Sequence, residues 1–163
     1  MPSLDIVSKI DHQSMDNAIN VARKEIINRY DFNGTKTTID FDKKEMSLHI
    51  VTENDMRIKA IGDIIIGRAI KQHIEPSCFD FGKELYAAGN MVKKDVKIKE
   101  GIDKETAKKI VKDIKETGLK LQASIMDDIV RVTGKKIDDL QDIMARLKKN
   151  SYGQPLQFVN MKS

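Results

Sequence analysis

The feature that most constrains the fold is a pattern of strand, turn, strand and helix that occurs twice in the chain. In the second copy, apolar and polar residues alternate over residues 119–125, which is the period of a strand with one buried face. A turn at residues 126–128 leads to a β-branched strand, and Thr133-Gly134 is expected to open a helix. The apolar residues of that helix fall on one stripe: Ile137, Leu140, Ile143, Met144 and Leu147.

The first copy repeats this order, with strands at residues 37–41 and 46–52 and a helix at residues 56–70. We expect Val51-Thr52 to be equivalent to Val132-Thr133. A further strand and helix precede each copy. The repeat therefore predicts an α+β fold, a tandem duplication of two ferredoxin-like β-α-β-β-α-β units. Each unit would be a four-stranded antiparallel sheet with two helices on one face.

The helix that precedes the first copy has a clear apolar face. Capping chemistry at residues 11–14 is expected to begin it, and five residues are expected to be buried: Met15, Ala18, Ile19, Ala22 and Ile26. The opposite face is expected to show four polar residues to water: Asp16, Asn20, Arg23 and Lys24.

The charge of the chain is unevenly distributed. Residues 1–90 carry 12 Lys and Arg against 14 Asp and Glu, whereas residues 91–163 carry 17 against 11, so that the later part has a net charge of +6. An anionic partner is therefore expected there. No apolar run reaches the roughly 20 residues of a membrane helix, and the N-terminus does not read as a signal peptide. A cytoplasmic location and no membrane partner are the default expectations.

Signatures of catalysis and of metal binding are missing from the sequence. Cys78 is the single cysteine, and the three histidines have no metal-ligand spacing. None of the phosphate-loop, dinucleotide, zinc-protease or nucleophile-elbow motifs occurs. The pairs Asp127-Asp128 and Asp138-Asp139 fall in a turn and in a first helical turn, where carboxylates are common. We therefore predict no enzyme activity, no cofactor and no metal.

The inner strands lack the residues that RNA-recognition domains use. Those domains share this order of elements and stack bases on aromatic side chains of the sheet. Here the corresponding strands read MSLHIV and IVRVT, without an aromatic residue. Base stacking is therefore disfavoured, while sequence-independent binding of phosphates by basic residues stays open.

Several motifs in order resemble a known family. They are PSLDIVS at residues 2–8, KLQASI near Lys120, RVTGK at 131–135, DDLQ at 138–141 and GQPLQFVN at 153–160. Together they resemble the YajQ family of bacterial nucleotide-binding proteins over essentially the whole chain. Leu4 stands where that family often has Phe, and Met161-Lys162 stand where an aromatic residue and Arg are usual. Lys162 keeps the positive charge of that Arg but not its two-pronged geometry.

The resemblance implies an exchange of first strands between the two units. The strand at residues 4–10 would complete the C-terminal sheet, and the strand at 91–99 would complete the N-terminal one. The units would then be residues 11–100, and residues 1–10 with 101–163. The resemblance further implies binding of nucleotides, cyclic di-GMP among them, of RNA, and of a transcription regulator as protein partner.

Matching the family's motifs to this sequence gives a candidate nucleotide-binding site at the junction of a strand and a helix. Arg131 would contact phosphate or a guanine face, Lys135 would neutralise phosphate, and neighbouring amides would read base edges. The alternative is that these side chains are solvated charges and satisfied amides. The candidate residues are Lys120, Gln122, Arg131, Thr133, Lys135, Gln154, Gln157 and Asn160.

From the resemblance we expect a non-enzymatic, cytoplasmic nucleotide-binding protein that acts as a cyclic di-GMP effector and influences transcription through a protein partner. Two alternatives stay open. The chain could be a general RNA-binding or tRNA-binding module, or an adaptor for protein interactions without a ligand of its own.

Overall fold

The computed structural model describes residues 1–82 and 85–163, with side chains for residues 1–82 and 89–163. The chain forms two compact units. We call residues 10–99 the N-terminal unit, and residues 1–9 together with 100–163 the C-terminal unit.

In the described ranges the elements follow the predicted alternation of strands and helices. The strands are β1 (Ser3–Val7), β2 (Thr38–Asp42), β3 (Ser47–Thr52), β4 (Phe79–Asp80), β5 (Leu85–Ala87), β6 (Met91–Ile98), β7 (Leu121–Met126), β8 (Ile129–Gly134) and β9 (Gln157–Lys162). The helices are α1 (His12–Asn28), α2 (Asp55–Lys71), α3 (Lys104–Glu116) and α4 (Ile137–Lys149).

The sheet of the N-terminal unit has the antiparallel order β2-β3-β6-β4, and β5 also pairs with β6. Helices α1 and α2 bury their apolar stripes in a core that includes Leu48, Ile50 and Val96 of the sheet. Cys78 and Phe79 belong to the same core. Because alternate strand residues point to opposite sides, Ser47, His49 and Val51 of β3 lie on the face away from this core.

The sheet of the C-terminal unit has the antiparallel order β7-β8-β1-β9. Its core joins Leu4 and Ile6 of β1 and Val130 and Val132 of β8 to the apolar stripes of α3 and α4. The predicted duplicated ferredoxin-like fold is confirmed. The first strand of the chain lies in the C-terminal sheet, and β6 lies in the N-terminal sheet, as the resemblance implied.

The two units align one residue away from the expected equivalence. Strands β3 and β8 have the same succession of exposed and buried residues, which makes His49 equivalent to Arg131 and Thr52 equivalent to Gly134. Pairing Val51-Thr52 with Val132-Thr133 was wrong, because β8 continues through Gly134 and α4 begins only at Ile137. A Cβ on Gly134 would lie 2.5 Å from Leu121 Cδ2, so a larger residue at this point would displace the end of the Leu121 side chain.

Side-chain caps fix the beginning of three helices. The predicted cap of α1 is confirmed: Asp11 Oδ1 accepts hydrogen bonds from the backbone N–H groups of Gln13 and Ser14. Asn54 caps α2, and Asp103 caps α3 by accepting from Thr106 N at 2.7 Å. These contacts satisfy N–H groups that have no partner within the helix.

Candidate functional site

The face of the C-terminal sheet that carries neither α3 nor α4 is lined by polar side chains. The strand register places Ser124, Arg131 and Asp5 side by side across β7, β8 and β1. The next row consists of Gln122, Thr133, Ser3 and Lys162. We call these seven residues, together with Asn160, the polar face.

A hydrogen-bonded ion pair lies at the centre of the polar face. Arg131 Nε donates to Asp5 Oδ1 at 2.8 Å, and Arg131 Nη2 donates to Asp5 Oδ2 at 3.4 Å. Asn160 Nδ2 donates to the same Asp5 Oδ2 at 3.0 Å. The Asp5 side chain is 6% exposed and that of Arg131 is 44% exposed. The carboxylate is therefore covered by its two partners, while the guanidinium reaches solvent.

An irregularity in β9 positions Asn160. The pairing of β1 with β9 shifts between Ser3 and Asp5, and Asn160 has a φ of +55°. Such a bulge redirects a side chain within a strand. Here it brings the Asn160 amide to Asp5, and Asn tolerates positive φ better than most residues.

These contacts keep the central carboxylate ionised. The Arg131 hydrogen bond lowers the pKa of Asp5 below its usual value, against an opposing effect of burial, and Asn160 lowers it further. The charges of Arg131 and Lys162 act in the same direction. Asp5 in turn raises the pKa of Arg131. The pair is thus a fixed cation and anion at neutral pH.

Two lysines extend the polar face beyond the paired strands. The register pair Leu121 and Gly134 is the last one between β7 and β8, and Lys120 and Lys135 follow it directly on the two strands. Both lysine side chains are exposed, and in the described residues no ion pair engages either of them. An anion near this edge would meet two ammonium groups that no carboxylate neutralises.

Two of the predicted site residues hold backbone groups. Gln154 Nε2 donates to the carbonyl oxygen of Gly101 at 2.7 Å. Gln157 Oε1 accepts from the backbone N–H of Lys9 at 2.8 Å. The structure therefore brings six of the eight predicted residues to one face or its edge, and gives the two glutamines structural contacts. Ligand contacts of the six stay a prediction.

The polar face carries no aromatic ring in residues 1–9 and 100–163, all of which the structure describes. Phe158 is the aromatic residue of β9, and it packs against the core on the helix side. Its ring lies 5.6 Å from Lys148 Nζ. The arrangement suits charge and hydrogen bonding more than base stacking.

Asp5 is a residue of the polar face that the sequence motifs did not reveal, although the sequence contains a signal for it. Asp5 is a lone acid between Leu4 and Ile6, both of which are buried. A charged residue within an apolar strand needs a partner on its own face of the sheet. The alternation of β8 places Arg131 on the corresponding face. The pair of Asp5 and Arg131 could therefore have been predicted once β1 was assigned to this sheet.

The family described as "Nucleotide-binding protein YajQ-like" matches residues 2–162. The chain belongs to this family. The family's motifs that resemble those of this chain include both strands of the central ion pair, β1 in PSLDIVS and β8 in RVTGK.

Relatives of the YajQ-like family match along their whole length. A "Nucleotide-binding protein" of Cytophaga hutchinsonii is 57% identical over 162 residues, which are 99% of this chain and 100% of that protein. Proteins of the same name from Oleidesulfovibrio alaskensis and Syntrophotalea carbinolica are 49% and 48% identical over 163 residues, with full coverage of both chains in each case. Among the described residues, no helix is long and apolar enough to cross a membrane.

Proposed function

We propose that this chain binds a nucleotide on the polar face of its C-terminal unit and does not transform it. The ligand is a cyclic dinucleotide, cyclic di-GMP, and the bound protein influences transcription in the cytoplasm through a protein partner. The observation that carries the proposal is the combination, on one face, of a buried carboxylate, an oriented guanidinium and two lysines that no ion pair among the described residues engages. The names of the relatives support a nucleotide as ligand.

Asp5 acts as a positioning residue for Arg131. A guanidinium has five N–H donors in a planar fork. Two of its nitrogens, Nε and Nη2, contact Asp5, which leaves Nη1 for a ligand. Because Asp5 is held by the sheet and by Asn160, the guanidinium is oriented before a ligand arrives. Such preorganisation reduces the entropy lost on binding.

The remaining groups suit the other parts of a nucleotide. Lys120 and Lys135 attract phosphate oxygens as point charges. Thr133 and Gln122 are adjacent across β8 and β7, and a hydroxyl and an amide can pair with ribose hydroxyls or with the donor and acceptor edge of guanine. A ligand with two phosphates would use both lysines at once.

The proposal of binding without catalysis rests on the state of Asp5. A general base must accept a proton near neutral pH. Asp5 has a lowered pKa and donors on both carboxylate oxygens, so that it is poorly suited to that role. Incubation with cyclic di-GMP, followed by chromatography, should return the nucleotide unchanged.

Isothermal titration calorimetry with cyclic di-GMP tests the site. The double variant Lys120→Ala/Lys135→Ala should bind at least about 10-fold more weakly, because each lost charge contact to phosphate contributes roughly 1 kcal/mol or more. The matched control is Lys108→Ala/Lys115→Ala, which removes the same charge from the exposed side of α3. Equal affinity of the two double variants would contradict the proposed site.

A salt series distinguishes this function from general RNA binding. Binding of RNA through many phosphates weakens steeply as salt rises, whereas a cyclic dinucleotide makes few such contacts. Tight, salt-sensitive binding of labelled RNA without binding of cyclic di-GMP would favour the RNA-binding alternative. No heat and no thermal shift with any guanine nucleotide or RNA would favour the adaptor.

A further inference from the structure

The N-terminal unit has a cleft that the polar face does not involve. It lies between the last turns of α1, the segment at residues 30–37 and strand β2, and its volume is about 500 Å³. Clefts of this size accommodate small organic molecules. Ile26, Ile27 and Ile39 supply apolar wall, and Arg23, Asp40 and several threonines supply polar groups.

Arg23 is the unexpected member of this cleft. The sequence predicted that it faces water, but its side chain is only partly exposed and lines the cleft. Its Nε is buried and has no hydrogen-bond partner, while Nη1 donates weakly to Asn20 Oδ1 at 3.4 Å. A buried donor of a charged group that stays unpaired is unfavourable. A rotation of the guanidinium toward a ligand in the cleft would give Nε–H an acceptor and remove this unfavourable state.

The acids near Arg23 do not neutralise it. Glu25 is occupied by Arg68, whose Nε donates to Glu25 Oε2 at 2.9 Å. Asp40 lines the same cleft, yet no ion pair in the described residues joins it to Arg23. The cleft therefore presents a cation and an anion separately, and a ligand with an anionic group and an N–H donor can engage both.

The polar wall of the cleft is held in place by a chain of hydroxyl groups. Thr35 Oγ1 donates to the carbonyl oxygen of Phe32 at 2.7 Å and lies 2.8 Å from Thr37 Oγ1. Thr37 Oγ1 lies 2.9 Å from Thr52 Oγ1, and Thr52 is buried. This chain connects the loop to the neighbouring strand β3, so that the wall is preformed.

The adjacent strand adds backbone groups. Among the described strands, β2 stands at the end of the sheet order and pairs with β3 alone, so none of these strands pairs with its outer N–H and C=O groups. Thr38, Ile39 and Asp40 of this strand all line the cleft. A ligand there meets main-chain donors and acceptors as well as side chains.

We propose that this cleft is a second ligand site, which binds a small organic anion of the size of a purine nucleoside monophosphate. Arg23 Nε donates to its phosphate or carboxylate, Asp40 accepts from an N–H group such as the guanine edge, and the isoleucines pack against its apolar body. The site is independent of the polar face, and Arg23 is its binding residue.

Nuclear magnetic resonance of ¹⁵N-labelled protein tests this site with named probes: GMP, guanosine, inorganic phosphate and benzoate. We expect GMP to shift the Arg23 Nε–H signal and the amide signals of residues 33–40 in a saturable way. Guanosine lacks the charge and phosphate lacks the body, so both should bind at least about 10-fold more weakly. Benzoate shows whether a carboxylate replaces the phosphate.

Variants separate this site from the polar face. Arg23→Gln should weaken GMP binding in the cleft at least about 10-fold, and Lys120→Ala/Lys135→Ala should leave it unchanged. Arg146→Gln is the matched control, because Arg146 pairs with Asp142 in the other unit. If Arg23→Gln did not fold by circular dichroism, Arg23→Lys, which keeps the charge but lacks Nε, should give the same loss.

Two results would overturn the proposal. One is the absence of saturable shifts at Arg23 with every probe, which would show that none of these ligands accepts a hydrogen bond from Nε–H. The other is unchanged GMP affinity in the cleft after Arg23→Gln. Loss of binding at the polar face with retention of shifts in the cleft would contradict the proposed function but support this second site.

Discussion

The two units carry the same kind of pair at equivalent positions, with different chemistry. In the C-terminal unit, Arg131 of β8 faces Asp5 of β1, and in the N-terminal unit, His49 of β3 faces Asp95 of β6. His49 Nδ1 lies 2.7 Å from Asp95 Oδ1, and the two side chains are 48% and 53% exposed. By contrast, the Asp5 side chain is 6% exposed.

This difference shows how a duplicated scaffold diverges. The register keeps a basic residue opposite an aspartate in both sheets, and in the C-terminal unit the bulge at Asn160 also covers the carboxylate. The buried carboxylate holds a permanently charged guanidinium in place, whereas the exposed pair of His49 and Asp95 is a surface contact.

The largest predicted effect concerns the reactivity of the single cysteine in the core of the N-terminal unit. Cys78 is in the core of the N-terminal unit, and burial raises the pKa of its thiol to about 11. At a given pH the thiolate population is then roughly 100-fold lower than in the unfolded chain. Ellman's reagent should react with the folded protein at least about 100-fold more slowly than in urea. Equal rates would show that the reagent reaches the Cys78 thiol in the folded protein.

Replacing each of the two aspartates tests whether the buried pair stabilises the fold more than the exposed pair. Asp5→Ala should lower the free energy of unfolding by about 1–3 kcal/mol, because it deletes a buried carboxylate with three charge-assisted or amide hydrogen bonds. Asp95→Ala is the matched variant on the other sheet, and an exposed pair contributes less than about 1 kcal/mol. Urea unfolding of both measures the difference. Equal losses would mean that burial does not distinguish the pairs.

The contribution of Asp5 to the free energy of unfolding should depend on pH. Because its pKa in the folded protein lies below the usual 3.8, its contribution is complete above that value and is lost as the pH falls through the lowered value. The stability difference between the wild type and Asp5→Asn should be constant from about pH 7 to pH 5 and shrink below about pH 4. Urea unfolding at each pH measures it. A difference that grew with acidity would contradict the lowered pKa.

The fold was predictable because two independent signals agreed. The alternation in β7 and the helical stripe of α4 specified the order of elements, and the repeat specified the duplication. The one-residue error at Thr52 and Gly134 arose because periodicity does not locate the end of a strand. The close approach of Leu121 to Gly134, the last residue of β8, is visible only in the structure. The exchange of β1 came from the family resemblance, since a strand's sequence does not reveal which sheet it joins.

The candidate site was predictable in position but not in pairing. Motif matching pointed to Arg131 and Asn160, yet it did not reveal that Asp5 holds both of them. Contacts between residues 5 and 160 depend on the register across β1 and β9 and on a bulge, and neither follows from local sequence. Arg23 was assigned to water because helical periodicity ranks residues by face and does not detect a cleft beside the helix.

The smallest predicted effect comes from making the N-terminal pair resemble the C-terminal one. His49→Arg would place a guanidinium opposite Asp95, at the position equivalent to Arg131. Because Asp95 stays half exposed, we expect a gain of at most about 0.5 kcal/mol in the free energy of unfolding. Urea unfolding measures it, with His73→Arg as the control for the same substitution elsewhere on the unit. A gain comparable to the loss in Asp5→Ala would show that the identity of the cation, and not burial of the carboxylate, sets the strength of these pairs.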